Sequence, residues 1–158
     1  MGMVRINYNV RGQADLNQIL RKALNQALTD SVDAIKDILI KEIDKQVYRV
    51  YRPRFYKRRK SRGGLSDSAF IQGKLVSDGV LTIRTYAPKN IGYPNSSTEK
   101  LLDEIVVSGV GYDYAYNGKY NYEQPRDFYQ STEDILQRGT MKNILVQSLR
   151  SAGYEVII

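Results

Sequence analysis

Apolar residues recur at intervals of three and four from Leu16 to Val47: Leu16, Ile19, Leu20, Ala23, Leu24, Ala27, Leu28, Val32, Ile35, Ile38, Leu39, Ile43 and Val47. That spacing keeps side chains on one face of a helix and predicts a long helix over residues 15–47. Unbroken, it would span roughly 50 Å at a rise of 1.5 Å per residue. Asp15, with Gln18 three residues on, has the form of a capping box at its start. Thr29-Asp30-Ser31 are weak helix formers and mark a place for a bend or split. The apolar stripe reads first as core packing, with an intersubunit seam as the alternative. Pro53 disfavours the α conformation at Arg52 and ends helical character.

The period then changes. Ser68–Val76 and Val80–Ala87 flank Ser77-Asp78-Gly79, a turn sequence, and predict a hairpin. Leu81, Ile83 and Thr85 alternate with Thr82, Arg84 and Tyr86, as a strand with one buried face requires. Pro88 to Ser97 reads as a loop. Asn95-Ser96-Ser97 matches a glycosylation sequon but no secretion signal accompanies it. Thr98–Val107 predicts a short helix with Leu101, Leu102, Ile105 and Val106 on one side. Ser131 or Thr132 is placed to cap a last helix running to Ala152, with Ile135, Leu136, Ile144, Leu145 and Leu149 as its apolar face. Gly139 weakens its middle by about 1 kcal/mol relative to Ala. Gly153 stands where a C-cap glycine belongs. Tyr154–Ile158 then predicts a strand, and the 68–87 hairpin is its expected partner. The element order indicates an α+β fold: a long N-terminal helix, a small, mainly antiparallel sheet of hairpin plus C-terminal strand, and a C-terminal helix. One domain over residues 1–158 is expected, with a basic arm or loop at about 49–64.

Charge adds what the pattern leaves out. The net charge is +7, and eight of the 24 basic residues lie between Arg49 and Arg62, with no acid among them. Without those eight, 16 basic residues face 17 acidic ones. One segment therefore carries the whole imbalance, and such segments meet phosphate or an acidic protein surface. The cations Arg52, Arg54, Lys57, Arg58, Arg59, Lys60 and Arg62, with Tyr56, are the candidate contacts to a partner or to DNA. Gly63-Gly64 is expected to close the segment with flexible backbone; the lysine and hydroxyl of a phosphate-binding P-loop do not follow it.

Tyrosines crowd the stretch from Tyr112 to Tyr129. Tyr112, Tyr114 and Tyr116 alternate, as do Tyr120 and Tyr122 around Asn117-Gly118, which suits a small hairpin or an ordered loop with an aromatic face. Large apolar rings with polar tips suit an interface, so Tyr112, Tyr114, Tyr116, Arg126 and Phe128 are the candidate interface residues. Base stacking fits less well, because basic residues are sparse there.

No residue is His or Cys. The usual general base near neutral pH and the commonest metal ligands are thus missing. The acids Asp33, Asp37, Glu42, Asp44, Glu99, Asp103 and Glu104 read as scattered surface singles. No catalytic, cofactor or metal site is expected, and no enzyme. The zero cysteine count is compatible with a reducing cytoplasm. No stretch approaches the roughly 20 apolar residues of a membrane span, and MGMVRINYNVRG contains no signal-peptide core.

Taken in order, several motifs resemble one family. PRFYKRRKSRGGLSD resembles the Tyr-x-Arg-Arg … Gly-Gly-Leu-x-Asp stretch of head–tail joining (tail-completion, or neck) proteins of long-tailed bacteriophages, at Tyr56, Arg58, Arg59, Gly63, Gly64, Leu65 and Asp67. EIVVSGVGYDYAY is similar to that family's Ile-Val-x-x-Gly-x-x-Tyr segment, at Ile105, Val106, Gly109 and Tyr112. QPRDFYQST resembles its Pro-Arg-Pro-Phe turn at Pro125, Arg126 and Phe128, with Asp127 departing from the pattern.

The resemblance implies a structural virion protein without enzymatic activity. It implies a homo-oligomeric ring, commonly hexameric, in the neck of the virion. The ring's partners would be the head connector or adaptor protein and the tail tube or tail terminator protein. DNA would pass through it with at most non-specific contact, and no membrane is involved. The protein would be made in the bacterial host cytoplasm. On this reading residues 49–64 reach a neighbouring subunit, an acidic connector surface or the DNA channel. Replacing Arg58 and Arg59 by Ala is expected to spare the fold and block joining. The competing reading is a free nucleic-acid-binding protein that uses the basic-aromatic segment 49–62.

Overall fold

A computed structural model describes residues 12–50, 57–88, 101–110 and 124–157, and the backbone of 3–5. The chain is α+β, with helices towards both ends and short antiparallel pairings. In order, the elements are β1 (Met3–Arg5), α1 (Gln13–Asp30), α2 (Val32–Ile43), β2 (Ile71–Ser77), β3 (Val80–Thr85), α3 (Leu102–Ser108), α4 (Phe128–Ile135), α5 (Met141–Ser151) and β4 (Glu155–Ile157). A π-helical turn, Asp44–Tyr48, continues α2, and a kinked segment, Leu136–Thr140, joins α4 to α5.

The long N-terminal helix divides at Ser31. Its hydroxyl donates to the Leu28 carbonyl at 2.6 Å from a fully buried position. A serine hydroxyl bonded back into the preceding turn competes with the backbone and bends a helix. The apolar stripe faces inward at Ala23, Ala27, Leu28, Ile35, Leu39, Ile43 and Val47, so at these positions it is core. The expected capping box does not form. α1 begins at Gln13 after Gly12, no side chain caps it, and Asp15 lies within the first turn, where its charge favours the helix dipole.

The chain groups into two compact units. The first comprises Met1–Ile35, Gly73–Ile83 and Ile135–Ile158. Its core joins α1 to α5 and β4 through Ala23, Ala27, Leu149 and Val156, with Leu145, Val146 and Tyr154 packed beside them. β4 pairs antiparallel with β1, in the register Met3↔Ile157, Val4↔Val156, Arg5↔Glu155. This corrects the expected pairing with the hairpin. The turn after α5 decides it: Tyr154 N–H bonds Leu149 C=O and Gly153 N–H bonds Arg150 C=O, both at 3.0 Å, with Gly153 at φ +89°. This Schellman arrangement sends the tail back along α5.

The hairpin tip in this unit is anchored on α1. The Asn25 side chain donates to Asp78 at 3.0 Å and accepts from the Gly79 N–H at 2.8 Å. Gly73 lies so close to Val32 that a Cβ there would meet its methyl carbons at 2.7 and 2.8 Å.

The second unit comprises Lys36–Gln72 and Arg84–Asp134. Leu39, Ile43, Leu65, Ile71, Ala87, Ile105 and Phe128 are buried in it. Thr85 at the end of β3 is buried and the following Tyr86 is exposed, as the expected alternation requires. Tyr86 N–H extends the hairpin's bonding to the Phe70 carbonyl at 2.8 Å, and Pro88 bridges to Leu101. α4 starts three residues earlier than the expected Ser131 cap. Asp127 is the cap, its carboxylate accepting from Gln130 N–H at 2.9 Å. Thr132 instead sits inside α4, donating to the Phe128 carbonyl at 2.7 Å. Between α4 and α5 the backbone leaves the helical region at Arg138 and Gly139, the latter at φ +106°, so the expected continuous helix is two helices joined at a glycine kink.

Candidate functional site: a basic turn braced from within

From Lys57 to Asp67 the chain is a folded turn rather than an extended arm. Arg62 N–H bonds Arg59 C=O at 2.8 Å and closes it. Asp67 then clamps its far end. One carboxylate oxygen accepts from Gly63 N–H at 2.6 Å and the other from Ala69 N–H at 3.1 Å. Gly63 lies at φ +80° and Gly64 is buried. A Cβ on Gly64 would stand 2.6 Å from the Lys60 nitrogen, clash with the Lys60 oxygen, and sit 2.9 Å from the Tyr48 hydroxyl. The glycine pair therefore permits a tight crossing and does not supply slack, contrary to the sequence expectation.

Tyr48 is the post around which this turn is built. The π-helical turn at the end of α2 places it, and it is 8% exposed. Its hydroxyl accepts from Leu65 N–H at 3.1 Å. The Arg58 guanidinium and Lys60 ammonium lie 5.7 and 5.5 Å from its ring centroid, within cation–π range. Burial pushes the Tyr48 phenol above its ordinary value, against the lowering effect of the Leu65 hydrogen bond.

The turn sorts its cations. Arg58 donates to the Val47 carbonyl at 2.6 Å, at the end of the helix, where carbonyls need donors and a positive charge suits the dipole. Arg59 donates to the Pro88 carbonyl at 2.7 Å. Both are half-buried, whereas Lys57, Lys60 and Arg62 are exposed. The expectation that Arg58 and Arg59 could be removed without touching the fold is corrected, because both brace it.

The remaining candidates divide as follows. Arg52, Arg54, Tyr56, Tyr112, Tyr114 and Tyr116 lie outside the described residues, as do residues 89–100. Arg126 is half-buried, with its N–H on the Val106 carbonyl at 3.1 Å. Phe128 has no exposed surface and is core, which corrects its reading as an interface residue.

A second polar constellation in the same unit was not anticipated. Asp103, expected at the surface, is 2% exposed. It accepts from Arg84 Nε at 2.8 Å and from the Tyr129 hydroxyl at 2.9 Å. Arg84 also reaches Glu104 at 2.7 Å and lies over the Tyr86 ring. The Tyr129 hydroxyl accepts from the buried Thr85 N–H at 3.0 Å. The two carboxylates hold the Arg84 guanidinium more firmly in its charged form. Burial, followed by the negative charge of Asp103, pushes the Tyr129 phenol upward. Arg84, Asp103, Glu104, the Tyr129 hydroxyl and the Thr85 N–H bond one another, so the arrangement is a polar strut that ties β3, α3 and α4 together. Glu42 is likewise buried, with Gln46 and Lys45 on its carboxylate. Among the described residues no cluster of three or more acidic residues could hold a metal ion, and no helix is long and apolar enough to cross a membrane.

The chemistry is thus concentrated on one turn of a small α+β chain, held by hydrogen bonds to Tyr48 and Asp67 and carrying exposed cations. The chain belongs to the YomN family, whose model matches residues 13–151, from the first residue of α1 to the last of α5. It is 26% identical over 143 residues to the SPbeta prophage-derived uncharacterized protein YomN of Bacillus subtilis (strain 168), covering 88% of this chain and 93% of that relative. The relationship points to a phage-derived protein. No solved structure matches the chain.

Proposed function

We propose that the protein is a structural component of the phage neck, acting as a non-enzymatic ring subunit that joins the head connector to the tail tube while DNA passes through. The relationship to a prophage-derived protein supports this reading, as does the ordered run of motifs that resemble those of head–tail joining proteins. The observation that carries it is the braced turn. Lys57, Lys60 and Arg62 are exposed on a backbone locked by Tyr48, Gly64 and Asp67. A preformed cationic turn loses little conformational entropy on docking and is steered by charge to its partner.

The test pairs electron microscopy with assembly. The purified protein, alone and with extracts of tailless heads and free tails, should form rings and sediment with particles. The triple variant Lys57→Ala, Lys60→Ala, Arg62→Ala should fold normally but fail to complement a phage lacking the protein. Normal infectivity of that variant would remove the turn from the joining role. A protein that stays monomeric with every particle fraction, or that turns over a substrate, would sink the neck reading. Tight DNA binding without particle association would favour the free nucleic-acid-binding alternative.

A further inference from the structure

Lys60 has φ +48°, and no other non-glycine among the described residues has a positive φ. That conformation is strained for an L-residue and is where glycine is ordinarily found. The surroundings enforce it. The Arg62-to-Arg59 bond closes the turn, and Gly64 crosses so near the Lys60 backbone that a Cβ would clash with it. A strained residue maintained by its surroundings points to a use for its side chain. Lys60 is exposed, with its ammonium over the ring of a post that is itself buried.

We infer that Lys57, Lys60 and Arg62 form a phosphate-contact surface for the backbone of duplex DNA, with Lys60 held in a strained conformation to place its charge. The inference rests on the reading of this turn as the contact element. It favours phosphodiester over carboxylate for two reasons. First, the adjacent arginines, Arg58 and Arg59, which could fork around single carboxylates, bond backbone carbonyls of the protein itself. What is exposed is mainly ammonium, a hydrated point charge that needs proximity and not a planar match. Second, three cations within six residues, with no acid between Arg49 and Ser66, suit a partner of dense, regular charge. DNA carries one charge per roughly 1.7 Å of its axis. Such contacts position the duplex and carry no sequence preference.

The test uses the full chain, a fluorescent 20-base-pair duplex, and polyglutamate of matched total charge. Binding should weaken with salt and be indifferent to sequence. Lys60→Gly should raise Tm by about 2–4 °C through release of strain. The same substitution should lower the slope of log K against log salt by about 0.9. Lys57→Ala, which leaves the turn backbone alone, should lower that slope equally without the rise in Tm. Each cation removed should shrink the affinity lost between 50 and 200 mM salt by roughly 3.5-fold. No DNA binding at 50 mM salt would overturn the inference, as would unchanged slopes in both variants. Polyglutamate competing as well as DNA would assign the turn to an acidic protein instead, and a Tm lowered by Lys60→Gly would remove the strain argument. Ring formation is not needed for this assay. A chain that forms rings but ignores DNA sinks this inference alone, and one that binds DNA but never forms rings sinks the neck reading alone.

Discussion

Tyr129→Phe is the sharpest probe of what holds the second unit together. The substitution keeps the ring, which packs against Phe128 at a centroid distance of 4.6 Å, and removes one oxygen. That oxygen accepts from Thr85 N–H and donates to Asp103. Thr85 is 0% and Asp103 2% exposed, so water cannot take its place. An orphaned buried donor costs about 1–3 kcal/mol, and a hydrogen bond lost from a charged acceptor about 1.5–3 kcal/mol. Asp103 keeps Arg84, which offsets part of the second term. The expected net loss is about 2–4 kcal/mol, or a fall in Tm on the order of 5–12 °C for a chain of this size. The chain contains no tryptophan, so far-UV circular dichroism in urea is the convenient readout. The variant should unfold at a lower urea midpoint with an unchanged slope. A loss below about 0.5 kcal/mol would mean that the hydroxyl ties nothing together, and the strut described here would be wrong.

Three further outcomes follow from the same geometry. Gly64→Ala should destabilise by about 1–3 kcal/mol, because its Cβ lands on the Lys60 backbone, which has no rotamer to move aside; a neutral result by thermal melt would show that the turn is slack. Arg58→Ala should cost about 1–2 kcal/mol by losing the Val47 carbonyl bond and the stack on Tyr48, in contrast to a near-neutral Lys57→Ala, and urea titration of the pair would distinguish bracing from display. Stability should fall above pH 10, as the unfolded chain ionises Tyr48 and Tyr129 while the folded chain retains both protons. The folded state then binds more protons, so the loss grows by up to about 1.4 kcal/mol per pH unit for each phenol. A urea midpoint constant from pH 9 to 11 would contradict this.

The polypeptide's own pattern was enough for whatever depends on neighbours in the chain. Three-and-four spacing marked the N-terminal helix, and Thr29-Asp30-Ser31 marked where it divides. Asp78-Gly79 marked the hairpin and Gly153 the end of α5, because a turn needing positive φ selects glycine locally. The charge imbalance was legible as composition, and so was the segment that bears it.

Roles set by distant partners were not legible. Asp103 looks like any surface acid until Arg84 and Tyr129, 19 and 26 positions away, close around it. Nothing adjacent to Arg58 or Arg59 shows that Val47 and Pro88 offer them carbonyls, so two bracing residues were indistinguishable from three exposed cations. β4 could have joined either ladder by propensity alone; the direction in which α5 releases the chain gave it β1. A linear pattern records what each residue prefers, whereas burial and hydrogen-bond satisfaction are decided by groups that only folding brings within 3 Å.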